Sequence, residues 1–191
     1  MATICSMIQG CGPSNQFKVD TNKSKEFPPS QKMKIGALIF TAPAAGVSQH
    51  SPFGPAGTYT TPENAGITVA DALSSELTKV PNVILIERSR LENILNEHEL
   101  SLNGVANNPD VTLLGQILPV DALLFGDVMT FQRWYDMAGH GGIVVFSARL
   151  IDGRTAEVLF SMSCTAVKRG RMPEDLVHDL TTDAIRTLLE K

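Results

Sequence analysis

Three short apolar runs, at residues 34–40, 83–87 and 121–129, divide the middle of this sequence. Continuous apolar runs of this length, bounded by turn residues, are typical of strands that are buried on both faces of a sheet. The segments between the runs carry apolar residues at helical spacing, which predicts helices there. Strands that alternate with helices predict parallel pairing through right-handed crossover connections.

A different pattern occupies the last third of the chain. Apolar and polar residues alternate over residues 144–150 and again over residues 158–166, on either side of Asp152 and Gly153. Such alternation indicates antiparallel strands with one buried face, and an Asp-Gly pair between two strands is a strong hairpin signal.

The chain then ends in a predicted helix. Pro173 opens it, two acidic residues follow in its first turn, and apolar residues recur at helical spacing. The sequence therefore predicts a single α/β domain over residues 34–191. Its mixed sheet contains three parallel strands with helical crossovers and a C-terminal antiparallel hairpin, and a C-terminal helix completes it.

Two segments of this domain, residues 41–66 and 130–141, are rich in glycine and carry no periodic pattern, so both are predicted to be long loops. Their aromatic residues include Phe53, Tyr59, Trp134 and Tyr135. Aromatic side chains on loops are common anchors for protein partners, and we interpret these four as candidate partner-binding residues. Phe53 and Trp134 are equally compatible with folding back onto the core.

Residues 1–33, which precede the predicted domain, differ from it in composition. Cys11 follows a small residue, as in the cleavage box of a bacterial lipoprotein, so residues 1–11 resemble the remnant of a lipoprotein signal. The polar residues 12–33 are predicted to form a flexible tether. Because no positively charged region precedes the apolar segment, a chance match to the signal stays open as the alternative.

Composition excludes several classes of protein. With 43% hydrophobic and 19% charged residues, the chain is not intrinsically disordered. Its net charge of −4 argues against a nucleic-acid partner, because such a protein needs an excess of Lys and Arg to neutralise phosphates. No stretch approaches the roughly 20 apolar residues of a membrane-spanning helix.

Motifs for catalysis and metal binding are also missing from the sequence. The histidines and cysteines lack ligand spacing, and no phosphate loop or nucleophile elbow is present. Glu87 and Asp121, at predicted strand ends, are the remaining candidates for acid–base chemistry, and a structural role is the stronger interpretation for both. We therefore expect no metal, no cofactor and no small-molecule substrate.

Three stretches of the predicted domain occur in an order typical of a known family. They read ITVADALSSELTKVPNVILIERSRLENILNEHELSLNGV, LLGQILPVDALLFGDV and VVFSARLIDGRTAEVLFSMS. They contain a strand that ends in Glu87-Arg88, the LSLNG turn, the L-G-x-x-L-x-x-D-A strand entry and the A-R-L-x-D…T-x-E-V-L hairpin. This combination, within residues 34–168, resembles the CsgG family, the curli-secretion lipoproteins and their relatives.

The resemblance implies an α/β domain similar to the N-terminal domain of TolB and to the LpoB-type activators of penicillin-binding proteins. It also implies an exported protein of the periplasm or outer membrane, with Cys11 in the position of the family's lipidated cysteine. Members of the family tend to be non-enzymatic and to assemble or to bind protein partners.

The sequence departs from the curli channel itself. In that channel the loop corresponding to residues 41–66 lines the pore constriction, and two long hairpins per subunit cross the membrane. Here residues 130–141 are short and rich in glycine, and Asp152-Gly153 closes the other hairpin tightly. Two hypotheses follow: a lipid-anchored interaction module that binds a protein partner or its own copies, or an oligomeric secretion-channel component of the curli type.

Overall fold

The structure is a computed structural model and describes residues 15–38, 40–48, 57–98, 111–137 and 139–190. The strands are β1 (Gln16–Lys23), β2 (Met33–Ala37), β3 (Gly46–Ser48), β4 (Thr58–Thr61), β5 (Val83–Ile86), β6 (Ala122–Asp136), β7 (Gly139–Asp152) and β8 (Val158–Arg169). The helices are α1 (Ala65–Leu77), α2 (Arg88–Glu97), α3 (Val111–Ile117) and α4 (Pro173–Glu190).

The eight strands that the structure describes belong to one mixed sheet, and the predicted fold class is confirmed. β2 pairs in parallel with both β5 and β6, as the crossovers predict, and β6, β7 and β8 continue the sheet as antiparallel strands. The order is β5-β2-β6-β7-β8-β1, and β4 pairs with the far half of β6 while β3 pairs with β4. We call the end of the sheet that contains the β6–β7 turn its distal end.

Helices cover both faces of the sheet. One face packs its apolar side chains against α1 and α4, and together they form the main core. The opposite face packs against α2 and α3 around Leu91, Leu95, Leu114 and Leu123. Cys164 lies in the main core, where burial raises the pKa of its thiol to about 12, so the thiol stays protonated and unreactive near neutral pH.

The N-terminal segment differs from the prediction of a flexible tether over residues 12–33. Residues 16–23 form β1, which pairs with β8 along its whole length. Phe27 is buried, and its ring meets the edge of the Phe160 ring at a centroid distance of 4.8 Å. The tether prediction is therefore wrong for residues 16–27, and the domain begins with β1 rather than at residue 34.

The two predicted loops also contain regular structure. Residues 41–66 include the strands β3 and β4 and the start of α1. Residues 130–136 continue β6, and β7 begins at Gly139, so the prediction of a loop over residues 130–141 is wrong. The two strands form a long hairpin with a short turn, in which Asp136 pairs with Gly139.

None of the helices in the described part of the chain combines the length and the apolar composition that crossing a bilayer requires.

Candidate interaction surface

Two of the four predicted anchors lie in the interior. Tyr59 on β4 and Trp134 on β6 are paired across neighbouring strands, and both side chains are 0% exposed. They form a small apolar cluster with Ile143, Val145 and Val167. Tyr59 and Trp134 are therefore core residues, and their interpretation as exposed partner-binding residues is corrected.

The Trp134 ring is held from two sides. A Cβ atom on the cross-strand residue Gly141 would lie 2.4 Å from the ring, so only glycine lets the indole pack this closely on β7. The Arg169 guanidinium lies 4.5 Å from the ring centroid, at the distance of a cation–π contact. Asp136 accepts two hydrogen bonds from Arg169, at 3.1 and 3.0 Å, which fix the guanidinium over the ring.

The same arrangement affects the ionisable groups around Trp134. The hydrogen bond to Asp136 raises the pKa of Arg169, so this side chain stays charged. Burial, with a smaller effect of the negative charge on Asp136, raises the pKa of Tyr59 above its usual value. At the distal end, the Arg169 guanidinium therefore stays charged and the Tyr59 phenol stays neutral.

Tyr135 is the anchor that the structure leaves accessible. It follows Trp134 on β6, so its side chain points to the opposite face, where it is 48% exposed. Its ring centroid lies 6.2 Å from that of His140, and the two rings are tilted by 40°. Met137, in the β6–β7 turn, is fully exposed, and Val47 on β3 is largely exposed. We call the exposed side chains of Val47, Tyr135 and Met137 the tip surface.

An ion pair between Arg133 and Glu174 lies next to the tip surface. Arg133, two residues before Tyr135, donates a hydrogen bond to Glu174 in the first turn of α4. That bond raises the pKa of Arg133 and ties the hairpin to α4. The backbone that carries Tyr135 is therefore fixed by both strand pairing and an ion pair, which suits a preformed binding surface.

The other two predicted site residues, Cys11 and Phe53, lie outside the described residues. Nothing in the structure bears on lipidation of Cys11 or on partner binding by Phe53. Both stay predictions.

Glu87 and Asp121 do not form a catalytic pair. Glu87 follows the carboxyl end of β5, whereas Asp121 precedes the amino end of β6, and these strands run parallel, so the two carboxylates lie at opposite ends of the sheet. Asp121 accepts a hydrogen bond from the backbone N–H of Lys34 at 2.8 Å and faces Arg154 at 3.6 Å. Its role is to hold the starts of β2 and β6 together.

The sequence interpretation missed an accessible region beside β1. Phe17 on β1 is 50% exposed, at one side of a groove of about 570 Å³ between β1 and α4. Leu176 and Val167 supply the apolar part of its lining, and Asp183 and Arg186 supply charge. The alternation of Phe17 and Val19 with polar residues was the available signal, but it is weak inside a polar segment.

Comparisons with known proteins agree with this architecture. The crystal structure of lipoprotein GNA1162 from Neisseria meningitidis superimposes with a TM-score of 0.60 at 16% identity, covering 83% of this chain and 99% of that chain. The PelC dodecamer from Paraburkholderia phytofirmans gives a TM-score of 0.53 at 12% identity, covering 91% and 97%. At such identities the likeness is one of fold.

The sequence itself gives a more specific result. No curated protein matches it. Residues 15–170, from the start of β1 to the end of β8, match the family model described as curli production assembly/transport component CsgG. The chain belongs to the CsgG family.

Proposed function

We propose that this chain is a non-enzymatic assembly module of the bacterial cell envelope, which binds a protein partner or further copies of itself. Membership of the CsgG family is the observation that carries the proposal. The fold likeness to a lipoprotein and to a dodecamer adds support for an envelope location and for self-association.

The tip surface is the region we assign to partner binding. Tyr135 and Met137 expose apolar area on a rigid hairpin, where binding a partner costs little ordering of the backbone. Exposed apolar side chains gathered at one end of a domain are a recognised mark of protein contact. Phe53, in the segment that joins β3 to β4, is proposed as a further contact.

Site-specific photocrosslinking tests this assignment. A photoreactive residue in place of Tyr135 or Met137 should give protein crosslinks in cells, and one in place of the exposed Glu92 on α2 should give far fewer. Mass spectrometry of the products then shows whether the partner is another protein or another copy. Equal yields at all three positions would contradict partner binding through the tip surface.

Lipidation of Cys11 is the proposed means of anchoring to the periplasmic or outer membrane surface. With the protein produced in a Gram-negative host from its own gene, palmitate label should enter the wild-type chain but not the Cys11→Ser variant. The variant should also move from the membrane fraction to the soluble fraction, because its lipid anchor is lost. An unchanged distribution would rule out this anchor.

The second candidate function is an oligomeric secretion-channel component of the curli type. The family description names a transport component, and PelC forms a dodecamer, so a ring of copies is the specific alternative. Native mass of the full-length chain in detergent separates the two functions. A stable ring of many subunits would favour the channel, whereas a monomer or dimer would contradict it.

A further inference from the structure

The connection between β2 and β4 contains an exposed apolar segment. Residues 42–45 read Ala-Pro-Ala-Ala, and all four are exposed. Both ends of the segment are fixed, because the carbonyl of Thr41 accepts a hydrogen bond from the N–H of Val128 on β6 at 2.8 Å, and Gly46 begins β3, which pairs with β4. We call residues 42–45 the apolar segment. A segment held at both ends needs little ordering when it binds a partner.

The groove between β1 and α4 has the composition that such a segment requires. The half-exposed Phe17 lies on its β1 side, and Leu176 contributes an apolar side chain from α4. Thr182 and Arg186, both exposed on α4, add hydrogen-bond donors. Segments that contain proline bind to grooves lined by aromatic side chains in several classes of protein, because such segments are extended and lose little entropy.

The apolar segment and the groove lie at opposite edges of the sheet. In the distal half the strand order is β3-β4-β6-β7-β8-β1, so the segment adjoins one outer strand and the groove adjoins the other. Neighbouring strands are about 4.8 Å apart, which puts about 24 Å between β3 and β1. The two surfaces therefore meet only between different copies of the chain.

The strand register places both surfaces at the same level of the sheet. Two rows of paired residues, each running across the sheet from strand to strand, define this level. The first row is Thr41, Asp127, Ser147, Ser163 and Asp20. The second row is Val47, Thr60, Arg133, Gly142 and Lys168. The apolar segment lies between the first members of the two rows, and Phe17 lies between the last members, because Val167 pairs with Gln16.

This common level favours a second copy of the chain as the occupant of the groove. A rotation about an axis along the strands leaves the level of every residue unchanged, so it brings the apolar segment of one copy against the groove of another. The same rotation keeps the distal ends of all copies on one side. That orientation agrees with the proposed anchoring through Cys11, which would keep every distal end near one membrane.

We propose that the apolar segment of one copy lies in the groove between β1 and α4 of the next copy, with Pro43 against the Phe17 ring. This contact rests on the proposed self-association and names the two surfaces that meet. Tyr135 and Met137 stay available to a different partner. Because two unlike surfaces meet, the contact is heterologous, and it repeats around a closed ring if the rotation between copies closes.

Sedimentation of the full chain in detergent, over a range of concentrations, tests both surfaces. Ala44→Asp puts a charge into the apolar segment, and Phe17→Asp puts one into the groove. Each variant should raise the dissociation constant for self-association at least about tenfold, because the carboxylate loses its hydration in the contact. Lys18→Asp, on the opposite face of β1, and Asn93→Asp, on α2, are the matched controls and should assemble like the wild type.

The melting temperatures of all four variants check that the fold is preserved. Each of the substituted side chains is exposed in the structure, so these temperatures should stay close to that of the wild type.

A mixture of the two variants distinguishes a heterologous contact from a two-fold one. Ala44→Asp retains an intact groove and Phe17→Asp retains an intact apolar segment, so one unimpaired contact can form between them. An equal mixture should therefore give heterodimers that do not grow further, although each variant alone is mainly monomeric. A mixture that associates no better than the separate variants would show that these two surfaces do not meet.

Photocrosslinking identifies what occupies the groove. A photoreactive residue in place of Thr182 should crosslink to residues 42–45 of another copy, and a mixture of isotopically light and heavy chains shows that two copies are joined. Crosslinks confined to one chain, for example to residues 1–14, would mean that the groove holds the chain's own N-terminal segment, and the proposed contact would be wrong.

Failure of this contact is distinguishable from failure of the proposed function. If the wild type self-associates and neither Ala44→Asp nor Phe17→Asp weakens it, the contact is wrong while self-association stands. If the wild type is monomeric at all concentrations, the contact is overturned, and crosslinking from Tyr135 and Met137 to another protein still decides the proposed function.

Discussion

Replacing Trp134 with alanine should lower the free energy of unfolding by about 3–5 kcal/mol. The indole is fully buried, and no neighbour can fill its space, because Gly141 beneath it has no side chain. The substitution also leaves the Arg169 guanidinium without the ring that it covers. Urea unfolding followed by circular dichroism measures the loss.

Tyr135→Ala is the matched control for that substitution. Tyr135 is the next residue on the same strand and also aromatic, but its side chain is half exposed and packs against little. Its removal should change the unfolding free energy by less than about 1 kcal/mol. If Trp134→Ala is as mild as Tyr135→Ala, the indole is not buried and the assignment of Trp134 to the core is wrong.

Gly115→Ala should destabilise the protein by about 1–3 kcal/mol, although the same change in an isolated helix is stabilising by about 1 kcal/mol. Gly115 lies in α3 against the β7–β8 turn. A Cβ atom at this position would be 2.0 Å from the carbonyl oxygen of Gly153. That oxygen belongs to backbone, and the turn is itself fixed by a hydrogen bond from the Gly153 N–H to Asp121 at 2.8 Å, so it cannot move aside cheaply.

Gly46→Ala provides the comparison, because a Cβ atom on Gly46 meets nothing within 4 Å. Its melting temperature should stay close to that of the wild type, while that of Gly115→Ala falls. A rise in melting temperature for Gly115→Ala would mean that α3 does not rest on the β7–β8 turn.

The parallel part of the sheet was predictable because its signal is local. Each of its strands is a continuous apolar run, which is the composition expected of strands buried on both faces. β2 and β6 are largely buried, but β5 lies at the edge of the sheet and is only partly buried, so the prediction of a buried strand over residues 83–87 is wrong in that respect. Ile35 illustrates the result, since it pairs with Leu85 on one side and Ala122 on the other. The C-terminal hairpin was equally predictable, because its strands alternate and an Asp-Gly pair lies between them, although residues 153–157 connect the strands and the turn is longer than the tight turn that the pair predicts.

The β6–β7 hairpin was missed because glycine occurs both in loops and in strands that are closely approached by another group. In the sequence, the glycines at 139–142 indicate a loop. In the structure, Gly141 makes room for the Trp134 ring, and a Cβ atom on Gly142 would lie 2.7 Å from the backbone nitrogen of Pro173 at the start of α4. Close approach and turn formation favour the same residue, and only the three-dimensional arrangement distinguishes them.

The candidate site was only partly predictable for the same reason. In a strand, Trp134 and Tyr135 must point to opposite faces of the sheet, so one is buried and the other is exposed. The interpretation of residues 130–141 as a loop removed this distinction. β1 was missed on other grounds, because its partner lies far away in the sequence: Gln16 pairs with Val167. A polar strand held by one distant neighbour has only a weak local pattern, here the alternation of Phe17 and Val19 with polar residues, to distinguish it from a linker.

The position where β1 begins determines which end of the domain would lie near the bilayer in an anchored protein. Gln16 pairs with Val167, which in turn pairs with Ile143, so the chain enters the sheet at its distal end. Asn15 follows Cys11 by four residues, a span of at most about 14 Å. A lipid on Cys11 would therefore keep the distal end close to the bilayer, so a partner of the tip surface would be bound beside the membrane, and the β7–β8 turn would lie at the opposite end of the sheet.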